Sequence, residues 1–276
     1  MRLDGRINPV RGDLASQALE GLVRAPRFAK PSTLTVLTAG AAIRAAPNPR
    51  SEQVDELLFG ETFDVLQDSG GFVWGQARRD GYVGWIEARS LTPAAPPPTH
   101  WIATLRTFAY AEPSIKSPAT GPYSLNSLVS VTEIAGAMAR VTHAGWMPRS
   151  HLARIGCGHI SPARAARAFL GAPYLWGGRN SLGLDCSGLV QQALYAAGRA
   201  CPRDSDQQAA LGAPAPTALR RGDLVAWRGH IGLMLDGRRL IHANAHHMAV
   251  AIEPLARAIT RIREGGGGEP TAYRRL

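Results

Sequence analysis

The run Asp185-Cys186-Ser187-Gly188-Leu189-Val190 places a cysteine at the first turn of a helix. Asp185 is a good N-cap residue, because a short carboxylate accepts from the orphan N–H groups of a first turn. Behind it Leu189, Val190, Ala193, Leu194 and Ala197 fall on one helical face. Gly198 stands where a left-handed terminal cap is wanted. Cys186 lies at the edge of the apolar stripe, so its sulfur is expected to face the core. There the helix dipole and unpaired backbone N–H groups favour a thiolate. A lone cysteine on an apolar face is ordinarily a small buried hydrophobe. A base downstream is what makes it a candidate nucleophile.

Arg228 to Leu235 reads as a short strand with His230 at its start, Gly237 as a turn, and Leu240 to Asn244 as a second strand carrying His242. His230 is placed to take the thiol proton, and His242, on the paired strand, to orient the imidazole. This is the nucleophile, base and orienter logic of cysteine peptidases. Asn244 shares a strand face with His242, since side chains alternate, and is a second candidate orienter. The tandem His246-His247 reads as a loop pair rather than a metal site.

At these residues the chain resembles a known family. Pro173-Tyr174-Leu175-Trp176-Gly177-Gly178, Leu184-Asp185-Cys186-Ser187-Gly188-Leu189-Val190, Arg221-Gly222-Asp223-Leu224-Val225-Ala226-Trp227 and Gly229-His230-Ile231-Gly232 are similar to segments of the NlpC-type cysteine peptidases of bacterial cell-wall metabolism. They occur in the family's order over roughly the last 120 residues. The resemblance implies a papain-like fold and cleavage of murein peptides between γ-D-glutamate and the diamino acid. It also implies Cys186 as nucleophile, His230 as base, His242 as third polar residue and Tyr174 as a donor to the oxyanion. No metal or organic cofactor is expected.

Further positions carry over from the same resemblance. Trp176, Asp185, Ser187, Asp204 and Ser205 are assigned to substrate binding, although Asp204 also reads as a plain N-cap and Asp185 caps the nucleophile helix. In relatives that carry SH3-like barrels, a tyrosine of the first barrel borders the active site. Tyr82 occupies that motif here and is assigned to the substrate's free amine, with Glu61 as a weaker candidate. The expected substrate is therefore L-Ala-γ-D-Glu-diamino acid with a free N-terminus, as in cell-wall peptide recycling. Two other classes stay open: an amidase or acyltransferase using the same thiol, and a non-catalytic murein-binding protein.

Ahead of the peptidase segments, the pattern is all-β. Leu34–Leu37, Thr62–Leu66, Phe72–Ala77 and Tyr82–Ile86 are β-like runs separated by turn signals such as Asp68-Ser69-Gly70-Gly71 and Arg79-Asp80-Gly81. Gly60-Glu61, Trp74 and Asp80 to Trp85 resemble the pattern of a bacterial SH3-like barrel. Pro93 to Pro98 is a stiff linker. A more divergent barrel comes after it, ending in Ala144-Gly145-Trp146-Met147-Pro148, so there is a weak internal repeat of about 60 residues. The expected organisation is a leader over 1–32, in which residues 14–23 have helical spacing and pack on the barrels. The two barrels cover 33–95 and 99–155, and an α+β, papain-like domain occupies 158–276.

Composition narrows the alternatives. Net charge is +10 over 276 residues, but the arginines are scattered and the only lysines are Lys30 and Lys116. A nucleic-acid surface needs a clustered stripe, so no specific nucleic-acid partner is expected. Cysteines 157, 186 and 201 do not make a disulfide framework, and Cys157-Gly158-His159 lacks a second ligand pair for zinc. No transmembrane run is present. The charged leader lacks a signal-like apolar stretch, which gives an expectation of cytoplasmic residence. Oligomeric state is not legible.

Overall fold

In the computed structural model, which describes residues 3–93, 95–216 and 218–276, the chain divides into two units, 1–157 and 158–276. Among the described residues, no helix is long and apolar enough to cross a membrane. Met1 and Arg2 of the leader and Ala94 of the linker lie outside the described residues.

In the first unit, Ser32–Val36 (β1), Gly40–Arg44 (β2), Gln53–Leu58 (β3), Thr62–Ser69 (β4), Phe72–Ala77 (β5), Val83–Glu87 (β6) and Leu91–Pro93 (β7) form one sheet in the order β3-β2-β6-β5-β4-β1-β7. Their inward residues, among them Val36, Ile43, Leu57, Phe63, Val73, Tyr82 and Ile86, make one apolar core. Among its described residues the leader forms no α-helix. Ala15–Ser16 pairs with Phe28–Ala29 in parallel, and Gln17–Leu19 forms a short 3₁₀ segment capped by Ser16. Tertiary packing overrides the helical spacing: Leu14 is buried with Leu66 and Trp74, and the Arg11 guanidinium stacks 4.6 Å from the Trp74 ring and 5.0 Å from Trp85.

The rest of the first unit is built from His100–Ile102 (β8), Arg106–Tyr110 (β9), Ala119–Ser124 (β10), Leu128–Val129 (β11), Val131–Ala135 (β12), Met138–Val141 (β13), Gly145–Pro148 (β14) and Leu152–Arg154 (β15). They form a five-stranded sheet, β10-β9-β14-β13-β12, and a three-stranded one, β11-β8-β15. Phe59, from the loop after β3, is buried among Ile102, Tyr123, Val141 and Met147 of this second β subdomain. Its ring meets Tyr123 edge-on at 5.0 Å. Gly60 makes the insertion feasible. At φ +78°, a side-chain carbon there would sit 1.9 Å from the Leu128 carbonyl oxygen, so only glycine fits. Arg79 bridges the subdomains by pairing with Glu61 and donating to the Asn126 carbonyl at 2.8 Å.

The second unit is α+β. Pro162–Ala168 (α1), Cys186–Ala196 (α2) and the short Ser205–Gln208 (α3) precede a six-stranded antiparallel sheet. Ala213–Pro214 (β16), Leu224–Trp227 (β17), His230–Met234 (β18), Arg239–Asn244 (β19), Ala249–Pro254 (β20) and Ala272–Arg275 (β21) run in the order β16-β21-β17-β18-β19-β20. Leu255–Glu264 (α4), not expected from the sequence, lays Leu255, Ala258, Ile259 and Ile262 on the core of Val225, Trp227, Met234 and Leu240. α2 packs against α1 and against β18 and β19. Every one of its residues is buried, Gln191 and Gln192 included, so it is a central helix rather than one with a single apolar stripe.

Candidate active site

Asp185 starts the nucleophile helix as its N-cap. One carboxylate oxygen accepts from the Gly188 N–H at 2.7 Å, and the other from the Gly177 N–H at 2.9 Å. Arg203, only 1% exposed, reaches both oxygens at 3.0 and 2.6 Å and donates to Ser187 Oγ at 2.7 Å. Ser187 Oγ donates in turn to Asp185 at 3.2 Å. Asp185 and Ser187, both expected to line the substrate groove, are thus engaged inside the protein and pin the start of α2. Gly188 allows the helix to reach this position, since a side-chain carbon there would lie 2.4 Å from the Gly178 carbonyl oxygen.

The Cys186 thiol is buried at this helix terminus. Burial first, then the Asp185 carboxylate, push it up to about 12, against the opposing pull of the Ile231 and Ser187 N–H groups and of Arg203. The expectation of a resting thiolate is therefore corrected. Desolvation outweighs the helix terminus, and the thiol holds its proton until a base removes it.

That base is available on the adjacent strand. His230 Nε2 and His242 Nδ1 are 2.8 Å apart. Gly232 lets the strands close here, because a side-chain carbon on it would meet His242 Cβ at 3.1 Å and Leu240 Cδ1 at 2.8 Å. Burial first, then the neighbouring His242 ring and the Arg261 charge, lowers His230 to about 3, while Glu253 pulls the other way. His230 is thus neutral at ordinary pH, with one ring nitrogen carrying a lone pair. Since Nε2 is committed to His242, the nitrogen left for a thiol proton is Nδ1.

His242 is fully buried and places Nε2 2.9 Å from Glu253 Oε1, and Arg261 of α4 pairs with the same carboxylate. Sequence reasoning missed Glu253. Its signal is an acidic residue in the apolar strand Ala249-Val250-Ala251-Ile252-Glu253, but its meaning depends on register: Leu240 pairs with Glu253 and His242 with Ala251. Glu253 is thereby the diagonal neighbour of His242 on one sheet face. Asn244, the other candidate orienter, instead holds the following turn, its Oδ1 accepting from the His247 N–H at 2.9 Å. Ligand atoms of His242, His247 and Glu253 lie within 4.8 Å of one another, a spacing that metals use, but both His242 ring nitrogens already serve the relay.

Tyr174 is held by a bridge to Leu184 and by its N–H donating to the Met248 carbonyl at 3.0 Å. Burial, followed by the charges of Cys186 and Asp185, raises its phenol well above the usual range. It therefore stays a hydrogen-bond donor near the thiol. Trp176 is 56% exposed on the same loop. Asp204 caps α3 in a capping box with Gln207, and Ser205 is the first residue of that helix. In the other unit, Tyr82 is buried in the first β core and Glu61 is buried in its pair with Arg79, accepting also from the Leu58 N–H.

Comparison with known proteins agrees with this geometry. Residues 171–263 match the NlpC/P60 family, and residues 43–91 match the bacterial dipeptidyl-peptidase Sh3 domain. A γ-D-glutamyl-L-lysine dipeptidyl-peptidase of Bacillus subtilis is 35% identical over 100 residues, covering 33% of this chain and 34% of that protein. The peptidoglycan endopeptidase RipB of Mycobacterium tuberculosis is 32% identical over 149 residues, covering 46% of this chain and 61% of that protein. The chain thus spans between a third and three-fifths of the length of these relatives. A solved NlpC/P60 family protein from Bacillus cereus superposes with a TM-score of 0.76 at 20% identity, covering 88% of this chain and 99% of that one, a likeness of fold. The segment that carries the thiol and the paired histidines is thus the one that matches the NlpC/P60 family.

Proposed function

We propose that the chain hydrolyses murein-derived peptides at the γ-D-glutamyl–diamino acid bond, with preference for a free N-terminal L-Ala. The observation that carries this reading is the placement of the Cys186 thiol, buried at the start of α2, with His230 on the strand packed against that helix and His242 2.8 Å behind the base. The thiol proton passes to His230 as Cys186 Sγ attacks the γ-D-glutamyl carbonyl carbon. The developing oxyanion takes hydrogen bonds from the Tyr174 hydroxyl and a backbone N–H at the start of α2. His230 then protonates the leaving amine, and water, with His230 again as base, hydrolyses the thioester.

The substrate class rests on the murein-directed names of the relatives and on the Sh3 match. The reading includes a second SH3-like barrel over 99–155, supported by the short antiparallel strands of that subdomain. It also assigns Trp176, Asp204 and Ser205 to recognition of the peptide. An enzyme with this preference acts on soluble fragments rather than on intact wall, which suits a cytoplasmic recycling role that cell fractionation tests. The decisive experiment is mass spectrometry after incubation with L-Ala-γ-D-Glu-diamino acid tri- and tetrapeptides, free and N-acetylated. The expected result is cleavage after D-glutamate, with acetylation lowering kcat/KM by about 100-fold. Equal rates on both forms would remove the free-amine preference, and intact peptides after incubation would remove the peptidase reading.

A further inference from the structure

The base and its orienter do not end the hydrogen-bonded chain. It continues from His230 Nε2 to His242 Nδ1 at 2.8 Å, from His242 Nε2 to Glu253 Oε1 at 2.9 Å, and on to Arg261. We infer that Glu253 is a positioning residue that fixes the tautomers of both histidines and so presents an unprotonated Nδ1 of His230 to the Cys186 thiol.

The order of donors and acceptors along the chain dictates this. An ionised carboxylate only accepts. Burial would raise the Glu253 carboxyl, but hydrogen bonds from His242 and Arg261 outweigh it and hold the group at about 2. His242 Nε2 must then carry a proton. In a neutral His242 that leaves Nδ1 as the acceptor, so the hydrogen in the 2.8 Å contact belongs to His230 Nε2. A neutral His230 protonated on Nε2 has its lone pair on Nδ1. Each assignment is forced by the previous one, and the first is set by the charge on Glu253. Were Glu253 uncharged, His242 could hold its proton on Nδ1, and His230 would be forced to the opposite tautomer with no lone pair for sulfur.

The fold holds the anchor firmly. Glu253 is 7% exposed and lies at the end of β20 just ahead of α4, whose Arg261 grips it from the helix side. During the reaction one proton moves, from Cys186 Sγ to His230 Nδ1. The imidazolium keeps its Nε2–H on His242, and Glu253 stays ionised, stabilising the positive charge through His242.

The inference rests on the peptidase reading for its kinetic arm but not for its spectroscopic one. In ¹⁵N-labelled wild-type protein at neutral pH, long-range ¹H–¹⁵N spectra should show His230 and His242 both protonated on Nε2. A wild-type His242 protonated on Nδ1 overturns the inference whether or not the chain is a peptidase. In Glu253→Leu, kcat should fall by about 100-fold with KM nearly unchanged. Alkylation of Cys186 by iodoacetamide should slow in parallel, and Glu253→Asp should recover most of both. Should Glu253→Leu fail to fold, Glu253→Gln carries the kinetic arm, with a smaller slowing of alkylation. Wild-type kcat and alkylation rates in a folded Leu or Gln variant would overturn the inference. Loss of peptide cleavage in every form, with the Nε2 tautomers intact, would instead remove the substrate assignment and leave the relay standing.

Discussion

Arg203 grips both carboxylate oxygens of Asp185 from eighteen residues away, at 2.6 and 3.0 Å and out of contact with solvent. The pair sits directly beneath the first turn of the nucleophile helix. Its role is positional: Asp185 holds Gly188 and Gly177 at once, and Arg203 prevents that carboxylate from being buried as a lone charge.

Replacing Arg203 with Met should therefore cost about 3–5 kcal/mol, since one partner of a buried pair is left uncompensated. Arg203→Lys should recover little, because an ammonium cannot span two oxygens. Urea unfolding midpoints check both. A loss below about 1 kcal/mol in Arg203→Met would mean that Asp185 finds another partner.

Cys186→Ala should abolish hydrolysis while the protein remains folded, as Ala is well tolerated at a helix start. Cys157→Ala, at an exposed position, and Cys201→Ala, whose thiol donates to the Pro202 carbonyl, should keep activity. Product assays with circular dichroism read this out. Inactivity of either of the latter two would move the nucleophile elsewhere.

Gly188→Ala should destabilise by about 1–3 kcal/mol, as for other overpacked sites. The new methyl would lie 2.4 Å from the Gly178 carbonyl oxygen, so α2 must shift. Activity measured at a temperature where the variant is folded should fall more than its stability alone requires, because Cys186 moves with the helix.

Acid should weaken the fold in a defined window. His230 is held near 3 in the folded chain against an ordinary value of 6.5. Between these values the unfolded chain binds the extra proton, so stability is fully present above 6.5 and is lost as pH falls toward 3. The slope is about 1.4 kcal/mol per pH unit for this one group. The Glu253 carboxyl adds its loss only below its ordinary value of 4.5, toward 2. Thermal midpoints from pH 7 to 5 should thus fall, and His230→Gln should flatten that dependence. An unchanged slope in the variant would mean that His230 ionises freely in the folded protein.

Parts of the site were legible in the sequence because they are local. Asp185 as N-cap and Gly198 as the left-handed residue after α2 obey rules acting over one turn. The strands carrying His230 and His242 were marked by their own turns. Glu253 was not legible, because its meaning arises only when β19 and β20 pair in one register. Arg203 was not legible either, because its pairing with Asp185 joins residues eighteen positions apart and arises only when α3 packs against α2. The leader misled for the opposite reason: Leu14, Ala18 and Leu19 have helical spacing, but Trp74 and Leu66 offered Leu14 a better partner than a helix could.

The insertion of Phe59 into the neighbouring subdomain bears on how this N-terminal unit can be inherited. Tandem β domains are usually portable, each carrying its own core, so recombination can drop or transplant one copy. Here one subdomain fills part of the other's interior, and Gly60 must run against the Leu128 backbone to make that fit. Excising residues 33–95 would carry the ring away as an exposed aromatic and leave a ring-sized hole beside Tyr123. The two subdomains are thereby one heritable block, and an exchange between relatives that cuts at the proline linker should produce an insoluble protein.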